Sequence, residues 1–237
     1  MAVDEVRREL FAAGNPGKAG LLSRFFKTGK GEYGEGDKFL GITVPQQRAI
    51  AKKFYKDIPL KEIQTLMTNK IHEFRLTGLI MLTYKFKKAD EKEKKAVFEL
   101  YLKNTKNVNN WDLVDLTAPN IVGEFLLNKD RKIIYRLAKS KNLWEKRISL
   151  LATFAFIRKN DFEHSLRLSE MLVSDKHDLI QKALGWMLRE IGKRDQKAEE
   201  EFLKKYSTKM GRTALRYSIE KFSENKRKFY LTKSKSK

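Results

Sequence analysis

Along almost the whole chain apolar residues return every three to four positions, and nowhere do they alternate in the two-residue period of a half-buried strand, so the pattern predicts helices and no sheet. The first amphipathic run covers about residues 3–13 and stops at Gly14. Asn15 and Pro16 then supply an N-cap and a proline at the first helical position, which starts a second helix through Leu21, Leu22, Phe25 and Phe26. Four glycines between positions 29 and 36 break the pattern and predict a surface loop; it lacks the G-x-x-x-x-G-K-S/T order of a phosphate-cradling loop. Thr43-Val44-Pro45-Gln46 reads as a capping box that launches a helix to about Tyr55, and Pro59 opens another. Helical periods then follow at about 60–68, 71–87, 91–103, 111–127, 131–140, 143–158, 161–173, 177–192, 195–205 and 210–223.

Helices this short are most economically arranged as antiparallel pairs. The segments FRLTGLIML (74–82), VDLTAPNIV (114–122), KRISLLATF (146–154), QKALGWMLR (181–189) and GRTALRYSI (211–219) align in one register. A recurrence of this length predicts an all-α, right-handed solenoid of HEAT-like antiparallel helix pairs with a concave face, although amphipathic helices share some of this likeness by chance. Residues 1–223 are expected to form that single domain, and 224–237 a disordered basic tail; from Lys221 onward seven basic residues face one acidic one.

Composition narrows the partners. The 51 Lys and Arg against 30 Asp and Glu, a formal charge of +21, point to a polyanion, nucleic acid before membrane because the charge is spread along the chain; a merely basic surface is the bland alternative. There is no apolar run near membrane-spanning length, and Met1 to Leu10 lacks a signal-peptide core, so a cytoplasmic protein is expected. The absence of cysteine excludes disulfides, thiol catalysis and Cys-ligated zinc, and His72, His164 and His177 are too scattered to read as a metal site.

The second column of the repeat register holds Arg75, Asp115, Arg147, Lys182 and Arg212. If the pairs stack, four cations near helix starts form a ladder suited to duplex phosphates, with Arg189 extending the basic edge. Asp115 interrupts the ladder. Trp111 lies four residues before it, hence on the same helical face, and Trp186 stands four residues after Lys182 in a later repeat. By spacing alone, Trp111 and Asp115 read equally as a core ring with a solvated carboxylate beside it. A carboxylate placed among anion-binding groups calls for a cationic target, and cleavage of an N-glycosidic bond supplies one as its oxocarbenium-like sugar. Trp111 and Trp186 would then be walls of the site; Trp144 reads as core.

FLGITVPQQR (39–48), HEFR (72–75), NWDLVD (110–115), NLWEKR (142–147) and IQKALGWMLRE (180–190), in that order, resemble the AlkD family of bacterial DNA alkylpurine glycosylases, over at least about residues 15–220. The resemblance implies that Asp115 is the catalytic carboxylate, that Trp111 and Trp186 line the site, and that Arg147 contacts the DNA backbone. It further implies excision of cationic N3- or N7-alkylated purines from double-stranded DNA by a monomer, without metal or cofactor and without a protein pocket for the base. Phe25 and Asn110 depart from the aromatic residues expected at those positions. Relatives of this fold that lack the Asp and Trp only bind nucleic acid, so a non-catalytic HEAT-like module for structured or branched nucleic acid is the competing expectation.

Overall fold

A computed structural model describes residues 2–233, all-α apart from one isolated parallel bridge between Lys38 and Ile71. The chain divides into two compact units, residues 1–117 and 118–237.

The first unit contains α1 (Ala2–Ala12), α2 (Pro16–Phe25), α3 (Val44–Phe54), α4 (Leu60–Met67), α5 (His72–Lys88) and α6 (Glu91–Lys103), followed by a 3-10 turn at Thr105–Asn107 and α7 (Trp111–Ala118). Its axis is α5, against which α3, α4 and α6 pack. From His72 to Thr83 every residue of α5 is buried, because the sequence there lacks a polar stripe and can be satisfied only by neighbours on all sides. The helix starts follow their sequence signals. Asn15 accepts from the Lys18 amide at 3.0 Å, and Thr43 with Gln46 and Asp90 with Glu93 form capping boxes for α3 and α6. By contrast α2 buries none of its residues, and Leu21 and Phe25 stay exposed.

The second unit opens with a π-helical turn at Pro119–Gly123, then α8 (Lys132–Ala138), α9 (Leu143–Ala152), α10 (Phe154–Ile157), α11 (Glu163–Met171), α12 (Asp178–Gly192), α13 (Gln196–Tyr206), α14 (Arg212–Ser218), a 3-10 turn at Ile219–Lys221 and α15 (Glu224–Lys233). Here α12 is the organising helix, packed against α9, α13 and α14.

Three predicted helices are subdivided, the run expected over 210–223 passing from α14 into the 3-10 turn at Ile219–Lys221. The run expected over 111–127 passes into the π turn at Pro119, which has no amide hydrogen for the α-helical pattern. The run expected over 143–158 breaks at Thr153, whose hydroxyl donates to the Leu150 carbonyl at 2.6 Å and meets Ser165 at 2.8 Å.

A correction concerns the tail. Residues 224–233, expected to be disordered, form α15, anchored by the buried Tyr230 ring against Phe222 and by Arg212, which donates to the Leu231 carbonyl at 2.8 Å. Residues 234–237 of that expectation lie outside the described residues.

Gly185 lies inside α12, where glycine lowers helix propensity, yet α14 crosses at that point. A Cβ there would sit 2.4 Å from the Ala214 carbonyl oxygen and 2.6 Å from Tyr217 Cβ. Replacing Gly185 with Ala should therefore destabilise the protein by about 1–3 kcal/mol through overpacking, despite the better helix former. A thermal midpoint equal to or above that of the wild type would refute this account of the α12–α14 contact.

Candidate active site

The first turn of α5 buries three ionisable side chains: His72, Glu73 and Arg75 are only 1%, 1% and 3% exposed. Each is committed to the strap that runs from Asp37 to Ile42. Glu73 accepts from the amides of Leu40, Gly41 and Ile42 at 3.0, 2.8 and 3.2 Å. Gly41 has φ +84°, and a Cβ there would fall 2.1 Å from the Asn15 carbonyl oxygen, so only glycine lets the strap pass the start of α2. Arg75 donates to Asp37 at 2.6 Å and to the Asn69 carbonyl at 2.9 Å.

His72 joins the strap to α7. Its Nδ1 lies 3.1 Å from Asp37 Oδ2 and its Nε2 2.8 Å from Asp112 Oδ2. Two carboxylates can accept at both ring nitrogens only if the ring donates at both, which makes it an imidazolium. Burial opposes that charge, and Arg75 repels it, but attraction to Asp112 and the hydrogen bonds to Asp112 and Asp37 outweigh them and raise the pKa to about 9. Burial likewise pushes the Asp37 carboxyl upward, but the bonds to His72 and the charge of Arg75 hold it below the ordinary carboxylate value.

Over this ionic floor stands a set of rings. Phe39 stacks on His72 at 4.5 Å, and Phe26 stacks on Phe39 at 5.1 Å and on Trp111 at 5.2 Å. Phe25 meets the edge of Trp111 at 5.9 Å while remaining 63% exposed. These rings border a cavity of about 400 Å³ that is also lined by Leu22, Ile42, Val44, Leu76, Asp112 and Asp115. Helical spacing thus places Trp111 and Asp115, one turn apart on α7, at the same cavity. Asp112, on the same helix, is taken by His72 and by the Leu113 amide at 2.9 Å. Asp115 is half-buried.

The remaining sequence candidates have other surroundings. Arg75, expected to meet phosphate, is a buried member of the ionic floor, because Asp37, distant in sequence, folds back onto it. In the second unit Arg147 is buried on α9 and donates to the Leu179 carbonyl at the start of α12. Trp186 is half-buried, lies 5.8 Å from the Phe154 ring and donates to Glu190 at 3.2 Å. Lys182 pairs with Asp178 at 2.8 Å, Arg189 pairs with Glu220, and Arg212 is exposed. Sequence reading did not assign roles to Asp37, Phe39, His72 and Glu73, although all but Asp37 fall within the FLGITVPQQR and HEFR segments.

Helix pairs in repeated register, with a carboxylate and an indole at an aromatic cavity, define a helical-repeat protein with a candidate catalytic centre. The chain belongs to the family of DNA alkylation repair enzymes, whose sequence model matches residues 6–222. Among solved structures it is similar to a protein described as a predicted DNA alkylation repair enzyme from Enterococcus faecalis, with TM-score 0.72 and 20% identity over 89% of this chain and 97% of that one. It is also similar to AlkD2 from Streptococcus mutans, with TM-score 0.57 and 17% identity over 87% of this chain and 97% of that one. At these identities the likeness is one of fold. No curated protein matches the sequence. Among the described residues no helix is long and apolar enough to cross a membrane.

The ionic floor carries a pH signature. The pKa of His72 is raised from 6.5 to about 9 on folding, so its contribution is complete below 6.5 and is lost as the pH rises through 9. Stability to urea should fall over that interval, and His72→Gln should flatten the fall. His72→Ala should cost about 3–5 kcal/mol by stranding buried carboxylates. A urea midpoint independent of pH across this range in the wild type would contradict the ionic assignment.

Proposed function

We propose that the protein is a monofunctional DNA glycosylase, acting as a monomer on cationic N3- or N7-alkylated purines in double-stranded DNA in the cytoplasm. The observation that supports this reading best is the placement of Asp115 and Trp111, one turn apart on α7, at the same aromatic cavity. In the reaction the C1′–N bond breaks and its electron pair passes to the base, which leaves neutral because it started as a cation. Water adds to C1′, and its proton goes to Asp115 or solvent. Asp115 stabilises the oxocarbenium-like sugar or orients the water, and Trp111 offers a ring face to developing positive charge. A cationic leaving group needs no general acid. Among the described residues lining the cavity there is no lysine to form a Schiff base, which favours simple hydrolysis over strand cleavage.

On the strength of the sequence register and the family resemblance, Trp186 is assigned to the lining of the site, and Arg147, Lys182, Arg189 and Arg212 to DNA contact. Asp115→Asn should leave affinity for alkylated duplex unchanged or tighter while base release falls at least about 100-fold. Chromatography of bases freed from methylated DNA measures this. Wild-type release by the variant would remove Asp115 from the mechanism. Salt-dependent DNA binding by the wild type with no base released would favour the non-catalytic nucleic-acid module.

A further inference from the structure

A second cavity of the first unit, of about 720 Å³, opens where α3 and α5 end and α4 and α6 begin. It falls in the roughly 300–1,000 Å³ range of small-molecule sites and shares no lining residue with the cavity beside Asp115. Its depth is apolar. Val97 is buried, Leu60 and Ala89 are half-buried, and the Tyr55 ring beside them is set edge-on to Tyr84 with centroids 5.4 Å apart.

The polar part of the lining is mostly cationic. Lys56, Lys85 and Lys88 face one carboxylate, that of Glu93, which accepts the Asp90 amide at 3.2 Å and so belongs to the capping box of α6. The Lys85 ammonium is fixed at the cavity by donating to the Lys56 carbonyl at 3.0 Å, which leaves two of its three N–H bonds for another acceptor. None of the three lysines forms an ion pair among the described residues. Lysines in the last turn of α5 complement the helix dipole wherever they point, and that suffices for the exposed Lys87. It does not explain why Lys85 and Lys88, three residues apart on one face, converge with Lys56 from another segment over an apolar wall.

We propose that this cavity is a second ligand site, for a small organic anion: a carboxylate, sulfonate or phosphate group held by the three lysines, with an apolar body lodged against Val97, Leu60 and the Tyr55 ring. An inorganic anion would meet only the lysines and a neutral ring only the wall, so the site requires both parts in one molecule. The cavity beside Asp115 repels such a ligand, because Asp112 and Asp115 are in its lining. The proposal is independent of the glycosylase reading.

Titration of the full chain with anilinonaphthalene sulfonate, an aromatic anion whose fluorescence rises as it leaves water, tests this. One saturable site is expected, with the dye displaced by naphthoate but not by inorganic phosphate or by the neutral naphthyl methanol at equal concentration. Lys88→Glu, which reverses one cation, and Ala96→Trp, which fills the space from α6, should each weaken binding about tenfold or more. Both positions are exposed, so the fold should be kept, as circular dichroism would verify. Lys139→Glu, which makes the same change of net charge on α8, should leave binding as in the wild type. Displacement by the neutral alcohol as effective as by naphthoate, undiminished binding by folded Lys88→Glu or Ala96→Trp protein, or an equal loss in Lys139→Glu overturns the proposal.

Discussion

The first unit depends on a buried, charge-balanced cluster at the start of α5, where His72 and Arg75 face Asp37 and Asp112. Taking four charges out of water is costly, and the cluster persists because each charge lies against an opposite one: His72 against Asp37 and Asp112, and Arg75 against Asp37. One carboxylate missing would leave a cation buried without its counter-charge. These ion pairs join three separate pieces of chain at once: the strap through Asp37, α5 through His72 and Arg75, and α7 through Asp112. Glu73 adds the strap's backbone to the same anchor by accepting three successive amides. The position of Trp111 and Asp115 is thus inherited from charges that take no part in lining the rim.

That arrangement gives different surroundings to the two carboxylates, three residues apart, of the NWDLVD segment. On an isolated helix they would be chemically alike. Folding separates them, because α5 presents an imidazolium to one and the cavity lies before the other. Asp112 is thereby fixed as a structural anion of the buried cluster.

Much of the fold was legible because helical period, caps and breakers are local. Asn15, the Thr43 capping box and the ends of α5, α6 and α12 lie where the pattern puts them, within a residue or so. Pro119 and Thr153 act inside otherwise periodic runs, so the pattern passed over them. For α15, a strongly basic sequence read as tail; its anchors, Phe222 against the Tyr230 ring and Arg212 on the Leu231 carbonyl, lie outside the segment. The pairing of Trp111 with Asp115 was legible for the same local reason as the helices. His72 was not: its two partners lie 35 and 40 residues away, and a lone histidine carries no spacing to reveal them. Arg75 was misplaced because equivalent register positions need not have equivalent surroundings, and here the strap folds Asp37 back onto the side chain. Gly185 gives no sequence sign of the helix that crosses it.

Net charge and substrate charge pull in opposite directions on the glycosylase reading. A protein of charge +21 attracts duplex DNA through its phosphates but repels a purine that carries a positive charge. The two demands are compatible because they act at different ranges. Exposed lysines and arginines act through solvent, where salt screens them beyond about 8–10 Å. Half-buried charges such as Asp115 act at short range and are screened far less. The balanced cluster under the floor matters here, because His72 and Arg75 would add their own repulsion were Asp37 and Asp112 not bound to them. On the glycosylase reading, neutralising those two cations keeps a basic protein from repelling a cationic substrate at Asp115.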